Sequence, residues 1–273
     1  MAPTLRLIRA PNLIIAAAGV FAGGWIALRD IAVPKELVFA ALSGMALGAV
    51  GNTWNDIRDV AADRINRPAT RPMAAGTVGR GTADFILFAG TLLGLAFAGL
   101  IGGGQVLAAL AALAVMFSYS PLLKPVPLVG NLAVAIAAGS PPFYGALALG
   151  RPAAGLVPWM LAAWLHFVRE IVKDVEDEAG DRAIDRRTLP IAVGRRSAMV
   201  GAASVALLFV PASLLLPLND DYAGAYFLFA LPAQMAVLVA ATWLLLGKMA
   251  RVSTLLKGAM VIGLVALVMG KAA

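Results

Sequence analysis

Long oily runs alternate with short charged ones along this chain, and the alternation predicts its elements. A helix that crosses a bilayer needs roughly 20 mostly apolar residues. Nine segments meet that need, at about 11–28, 37–54, 82–102, 104–119, 128–148, 153–170, 197–216, 224–246 and 254–271. Only the glycines 102 to 104 part the third from the fourth. Pro141 and Pro142 fall inside the fifth. They predict a kink or an opening there, because proline removes a helical N–H and crowds the preceding turn. The polar stretches sort onto two sides. One side holds the N-terminus and the loops near 55–81, 120–127, 171–196 and 247–253, and it carries 18 of the 22 lysines and arginines. The other keeps only Arg29, Lys35, Arg151 and Lys271. Cytoplasmic loops carry the excess of Lys and Arg. The N-terminus and the charged loops are therefore expected in the cytoplasm, at the cell (inner) membrane, with the C-terminus outside.

Composition agrees with the pattern. Hydrophobic residues make up 61% of the 273 and charged residues 14%, where a soluble domain has about 25% charged. The expectation is an all-α polytopic membrane protein, one domain over 1–273. Arg6 and Arg9 precede the first apolar run, but that run is long enough to span and no small-residue cleavage site closes it, so it does not read as a cleaved signal peptide. There is no cysteine, which excludes disulfides, thiolate metal sites and a thiol nucleophile. The single His166 excludes a histidine-rich metal centre. A net charge of +7 would suit nucleic acid, but the basic residues follow topology, and no nucleic-acid partner is expected.

The acids carry the candidate chemistry. Eleven of the 15 fall on the basic side, most of them in two stretches that begin near 55 and 171. Both run from an apolar helix through carboxylates to Arg and Pro, which suggests two related halves, about 1–127 and 128–273. In NDIRDVAADRINRP, Asn55, Asp59 and Asp63 are spaced i, i+4, i+8 and stack on one helical face, with Asn52 beside them. Asp56 is turned about 100° from Asn55 by the helix pitch and takes a lesser, supporting place. In REIVKDVEDEAGD, Asp174, Asp177 and Asp181 share a face that Glu170 can join, while Glu176 and Glu178 point elsewhere, into solvent. Most loop carboxylates are simply solvated. These sit at the junction with an apolar helix, where a charge at membrane depth costs about 2.5–3.5 kcal/mol. Clustered carboxylates repel one another unless cations bind them. Two such faces without His or Cys suit Mg²⁺, which takes oxygen ligands and substrate phosphates. Arg67, Arg71, Lys124 and Lys173, with Arg9, could meet the remaining phosphate oxygens.

At these motifs the chain resembles the UbiA-type intramembrane prenyltransferase family nearly end to end. NDIRDVAADRINRPATRPMAAGTV is similar to the family's first Asp-rich motif, and Asp174, Asp177 and Asp181 fall in the second. YSPLLK, residues 119–124, resembles the Tyr and Lys loop between the fourth and fifth helices. RAPN, residues 9–12, resembles the N-terminal R-P-x-N element, with Ala10 between Arg9 and Pro11. The resemblance implies nine helices around a lateral, membrane-facing cavity. It implies Mg²⁺ held by Asn55, Asp59, Asp63, Asp174, Asp177 and Asp181, and a diphosphate met by Arg9, Asn12, Arg67, Arg71, Lys124 and Lys173. Asp59, Asp63, Asp177, Asp181, Lys124 and Tyr119 would then act on the reacting group. REIVKDVEDEAGDRAIDRRTLPI is most similar to the ether-lipid branch of that family, which makes digeranylgeranylglyceryl phosphate. The implied reaction moves a prenyl group, geranylgeranyl by that branch, from its diphosphate to the glycerol hydroxyl of geranylgeranylglyceryl phosphate through an allylic carbocation. Arg182, Arg186 and Arg187 could then meet the acceptor's phosphate.

Other readings stand beside this one. Aromatic acceptors of quinone, haem or chlorophyll pathways remain open within the family, and the partners in either case are a prenyl diphosphate, a lipid-like or aromatic acceptor, and membrane lipids. A cation-coupled transporter is a rival from another class, although transporter sites usually lie near the midplane and these acids cluster at one surface. A CDP-alcohol phosphotransferase would carry a D-G-x-x-A-R opening, which is absent. His166 reads as a hydrogen-bonded structural residue rather than a base. The pairs Gly19/Gly23, Gly44/Gly48 and Gly90/Gly94 read as close helix contacts within the chain.

Overall fold

The expected spans form as helices in a computed structural model, which describes residues 2–272. A short lead-in, α1 (Pro3–Leu7), precedes α2 (Ala10–Leu28), α3 (Lys35–Asn66), α4 (Arg80–Gly99) and α5 (Gly103–Ser118). Then come α6 (Val129–Gly139), α7 (Pro141–Ala148), α8 (Leu156–Ala183), the short α9 (Leu189–Val193), α10 (Arg195–Leu218), α11 (Gly224–Leu245) and α12 (Val252–Ala272). Among the described residues there is no strand. Eight helical segments are long and apolar enough to cross a membrane. The fifth expected span differs: it is two helices of 11 and 8 residues that meet at Ser140. Pro141 and Pro142 take the first positions of α7, where a missing N–H costs least. The nine expected spans are thus eight single segments and one broken pair.

Two helices outrun their expected spans. α3 has 32 residues and α8 has 28. At 1.5 Å per residue they reach about 48 and 42 Å, beyond the roughly 30 Å of hydrocarbon. Their last three turns carry the acids.

The spans close into a ring, each packed on the next and α12 returning onto α2, with α8 also crossing to α3. The largest buried cluster joins α8, α10, α11 and α12 around Val172, Phe209, Val237 and Leu256. A smaller one joins α3, α4 and α5 around Leu47, Val50, Ala98 and Leu113. Phe85, Phe88, Leu92, Leu107 and Leu208 are exposed on the rim. Contiguous apolar surface of that kind belongs in lipid rather than water. The expected glycine contacts form inside the chain. Gly48 lies against Leu13, Gly90 against Val50 and Gly94 against Leu47, and a Cβ at Gly23 would strike the Pro142 carbonyl. An apolar pocket lies among α7, α8, α10, α11 and α12, lined by Pro142, Leu161, Leu165, Phe209, Ala233 and Met260.

Candidate active site

The acidic ends of α3 and α8 meet because Gly180 lets them. A Cβ there would stand 2.6 Å from the Ala62 carbonyl oxygen. Asn66 seals the contact: its Nδ2 donates to the Asp177 carbonyl and its Oδ1 accepts from the Gly180 N–H, each at 2.9 Å. These bonds tie the last turn of α3 to the backbone of α8, in addition to the hydrogen bonds within α8 itself.

Side chains of both helices then interlock by charge. Lys124 donates to Asp59 Oδ2 at 2.8 Å. Arg186 lies 3.0 Å from Asp59 and 2.9 Å from Asp181, so one guanidinium ties the two motifs together. It is 10% exposed. Burial works to lower the Arg186 pKa, but the Asp59 and Asp181 carboxylates outweigh it and hold the pKa above the usual arginine range. Arg67 reaches Asp177 at 2.7 Å and Glu176 at 3.5 Å. Arg71 reaches Asp63 at 3.5 Å and Asp56 at 3.3 Å.

Asp56, expected in a supporting place, holds Arg9 and Arg71. It is 2% exposed and accepts from Arg9 at 2.9 Å, while Arg9 also donates to Asn52 at 3.0 Å. The pitch that turns Asp56 from Asn55 turns it toward the α1–α2 corner. Glu178 is not free in solvent either. It pairs with Arg182 at 3.0 Å and lies 3.5 Å from Arg195, because α10 starts beside α8.

The Tyr and Lys loop forms one wide turn, π-helical over Tyr119–Leu123 and closed by the Lys124 N–H on the Tyr119 carbonyl at 2.7 Å. Such turns often mark functional positions. This one buries Tyr119 and sends Lys124 toward Asp59. The next residue in the turn chain, Ser120, donates to Asn55 Oδ1 at 3.1 Å. Asp174 accepts from Asn131 Nδ2 at 2.8 Å, and Asn131 Oδ1 also caps the Leu128 N–H. An Asn131→Leu protein is expected to lose about 1–3 kcal/mol, the cost of a buried acceptor left unpaired. Thermal unfolding in detergent reads this, and an unchanged melting temperature would overturn it.

The structure therefore brings Asp59, Asp63, Asp177, Asp181, Arg67, Arg71 and Lys124 into one network, with Asn55, Tyr119 and Arg9 at its border. Two expected members stand apart. Lys173 turns to Glu170, 2.8 and 2.9 Å from its two oxygens. Asn12 Oδ1 lies 3.5 Å from Lys257. His166, expected to be hydrogen-bonded, has a buried Nδ1 without a partner.

A sequence profile described as the UbiA prenyltransferase family matches residues 16–268. The chain belongs to the UbiA prenyltransferase family. It is 38% identical over 214 residues to the digeranylgeranylglyceryl phosphate synthase of Pyrococcus abyssi, 76% of each chain. The solved structure of a digeranylgeranylglyceryl phosphate synthase superposes with a TM-score of 0.77 at 26% identity, covering 99% of this chain and 98% of that one. A UbiA homologue from Archaeoglobus fulgidus, solved with GPP and Mg²⁺, shares the fold at a TM-score of 0.67 and 19% identity over 98% of both chains. This prenyltransferase is an integral, multi-pass membrane protein by its family and its apolar helices.

Whether the prenyltransferase's acids suit a divalent ion can be judged from their oxygens. Asp59 Oδ1, Asp177 Oδ1 and Asp181 Oδ2 are buried and accept no hydrogen bond. A guanidinium lies 3.0 Å from Asp59 and 2.7 Å from Asp177, so these are charge contacts without aligned N–H groups. Hard, unaligned carboxylate oxygens fit Mg²⁺. Among the described residues no three acids stand close enough to hold an ion by themselves. Mg²⁺ commonly takes one or two carboxylates and completes its shell with water and substrate phosphate. The donor set fits an ion that arrives with a diphosphate.

Residues that sequence reasoning missed are Asn66, Asn131 and the bridging role of Arg186. Asn66 could have been noticed as the last polar residue before Arg67 and Pro68. Arg186, grouped in the sequence with Arg182 and Arg187, has left that company: Arg182 pairs with Glu178 and Arg187 is exposed.

Proposed function

We propose that this prenyltransferase transfers a geranylgeranyl group from its diphosphate to the glycerol hydroxyl of geranylgeranylglyceryl phosphate, at the cytoplasmic side of the cell membrane. The observation that carries the reading is the interlocked network at the ends of α3 and α8. Asp59, Asp63, Asp177 and Asp181 each already have a basic partner, and every basic partner is of the kind that binds phosphate. Lys124, Arg67, Arg71 and Arg186 would turn to the phosphate oxygens of a bound diphosphate, and the carboxylates they leave are the groups that would hold Mg²⁺.

Bound by Asn55, Asp59, Asp63, Asp177 and Asp181, with Asp174 in support, Mg²⁺ would neutralise the diphosphate and make it a better leaving group. Lys124 and Arg186 then face the charge that grows on the departing oxygen as the allylic C–O bond breaks. Charge fixed in place beforehand is the strongest kind of help an enzyme gives such a step. Tyr119, held by its turn beside Lys124, covers the reacting carbon, and the apolar bundle keeps water from the cation. The acceptor hydroxyl oxygen forms the new C–O bond, and its proton passes to the released diphosphate. The 38% identity to the Pyrococcus abyssi enzyme supports the choice of acceptor, and the distribution of basic residues supports the cytoplasmic orientation.

The test is turnover by purified protein with labelled geranylgeranyl diphosphate and Mg²⁺, given geranylgeranylglyceryl phosphate or an aromatic acceptor such as 4-hydroxybenzoate. An ether product with the glyceryl phosphate alone is the expected result. Prenylation of the aromatic acceptor alone would overturn the acceptor assignment.

A further inference from the structure

A second basic cluster stands beside the network and is not part of it. Arg169 and Lys173 are four residues apart on one face of α8. Lys257, in the second turn of α12, reaches across to α2, its Nζ 3.5 Å from Asn12 Oδ1, and α12 also packs on α8. Arg9, engaged by Asp56 and Asn52, stands at its edge. Lys257 lies in the field of Arg169, Lys173 and Arg9, with Glu170 as the one acid among them. Glu170 cannot balance the group. It sits 2.8 Å from Lys173 but 3.5 Å from Arg169, and the hydrogen-bond partner of Lys257 is a neutral amide oxygen, Asn12 Oδ1, at 3.5 Å. Arg169 Nε is buried and donates to nothing. Like charges gathered out of water are costly unless an anion joins them.

The surroundings say what shape of anion. Leu161, Leu165 and Arg169 follow one another four residues apart along α8. Leu264, Met260 and Lys257 form the facing stripe on α12. The four apolar members line the pocket described above. The basic cluster therefore stands at the end of an apolar seam between α8 and α12, a setting that suits the compact anionic head of an amphiphile.

We propose that Arg169, Lys173 and Lys257 form a second anion site, which takes the phosphate monoester of the acceptor lipid. This rests on the reading that the acceptor is phosphorylated. It replaces the assignment of that phosphate to Arg182, Arg186 and Arg187. The diphosphate goes to the ends of α3 and α8, the acceptor's phosphate to the Arg169–Lys257 cluster, and Arg9 stands between them.

Binding without turnover tests it. Detergent-purified protein, free of divalent cation and of prenyl diphosphate, is titrated with geranylgeranylglyceryl phosphate. Arg169→Gln and Lys257→Gln should each weaken binding by about tenfold or more, the scale of one charge-assisted contact. Lys257→Arg should restore it, which separates loss of charge from misfolding. Asp177→Asn should bind as wild type does. In turnover, Lys257→Gln should raise KM for the phosphorylated acceptor and leave KM for geranylgeranyl diphosphate unchanged. Equal weakening by Asp177→Asn, or a parallel rise in both KM values, would overturn the second site by placing the acceptor in the first. Equal competition from phosphatidylglycerol vesicles would overturn it in favour of a general lipid-headgroup site, and no binding by wild type would end it. Binding of the phosphorylated lipid with no transfer to it would sink the acceptor reading yet uphold the anion site.

Discussion

An Asp59→Asn protein is expected to fold and to lose turnover by about 10²–10³-fold, the range seen when one fixed electrostatic contact to a reacting group is removed. The substitution keeps the size of the side chain and removes its charge. Asp59 is where the network is most connected: Lys124 at 2.8 Å and Arg186 at 3.0 Å both depend on it. Without that charge, Arg186 keeps only Asp181, and Lys124 has no other carboxylate within 4.0 Å among the described residues. Both bases are then drawn away from the place where the leaving oxygen would develop charge, and one oxygen of the metal site is lost. Asp84→Asn is the control. Asp84 pairs with Arg80 on an exposed face, 50% accessible, and its loss should not be felt. Turnover of both proteins, beside circular dichroism, decides the matter. Activity of Asp59→Asn within threefold of the Asp84→Asn protein would sink the network as the reacting site.

How far the sequence foretold this site depends on whether a feature is local. The faces Asn55, Asp59, Asp63 and Asp174, Asp177, Asp181 follow from helix period alone, and α3 and α8 are helical throughout both motifs. The break in the fifth span was legible because proline acts on its own turn. What Asp56 supports was not legible, because its partners come from elsewhere. Arg9 is 47 residues away and becomes a neighbour only when α2 folds back on α3. Arg186 is the clearest case. Asp185 takes a left-handed backbone conformation, φ 53°, and the Arg186 N–H bonds back to the Asp181 carbonyl at 2.9 Å. That reversal carries the side chain from the loop into the gap between the two motifs. Asp tolerates such a φ better than most residues, but nothing in a row of charged residues says which one will turn. The separation of Lys173 from Asp174 has the same origin. Adjacent on the chain, they face different helices, and the sequence names both without saying what each will meet.

Gly180→Ala is expected to damage stability and activity together, and the reason lies in where the two halves touch. Alanine is normally the better helix residue by about 0.5–1 kcal/mol. At Gly180 the added methyl would meet the Ala62 carbonyl oxygen at 2.6 Å and crowd the Asn66 amide. A backbone oxygen cannot step aside without moving α3. Overpacking of this kind costs about 1–3 kcal/mol, and here the relief runs in a damaging direction: the ends of α3 and α8 move apart. Asn66 would lose its bonds to Asp177 and Gly180, and Arg186 could no longer span Asp59 and Asp181. The loss should therefore appear in kcat as well as in the melting temperature, about tenfold in kcat if the lost positioning is worth about 1.4 kcal/mol. Gly201→Ala, on α10 with open space around its Cβ, should show only the helix-propensity gain. A Gly180→Ala protein as stable and as active as Gly201→Ala would mean that the acidic ends do not need this contact to face each other.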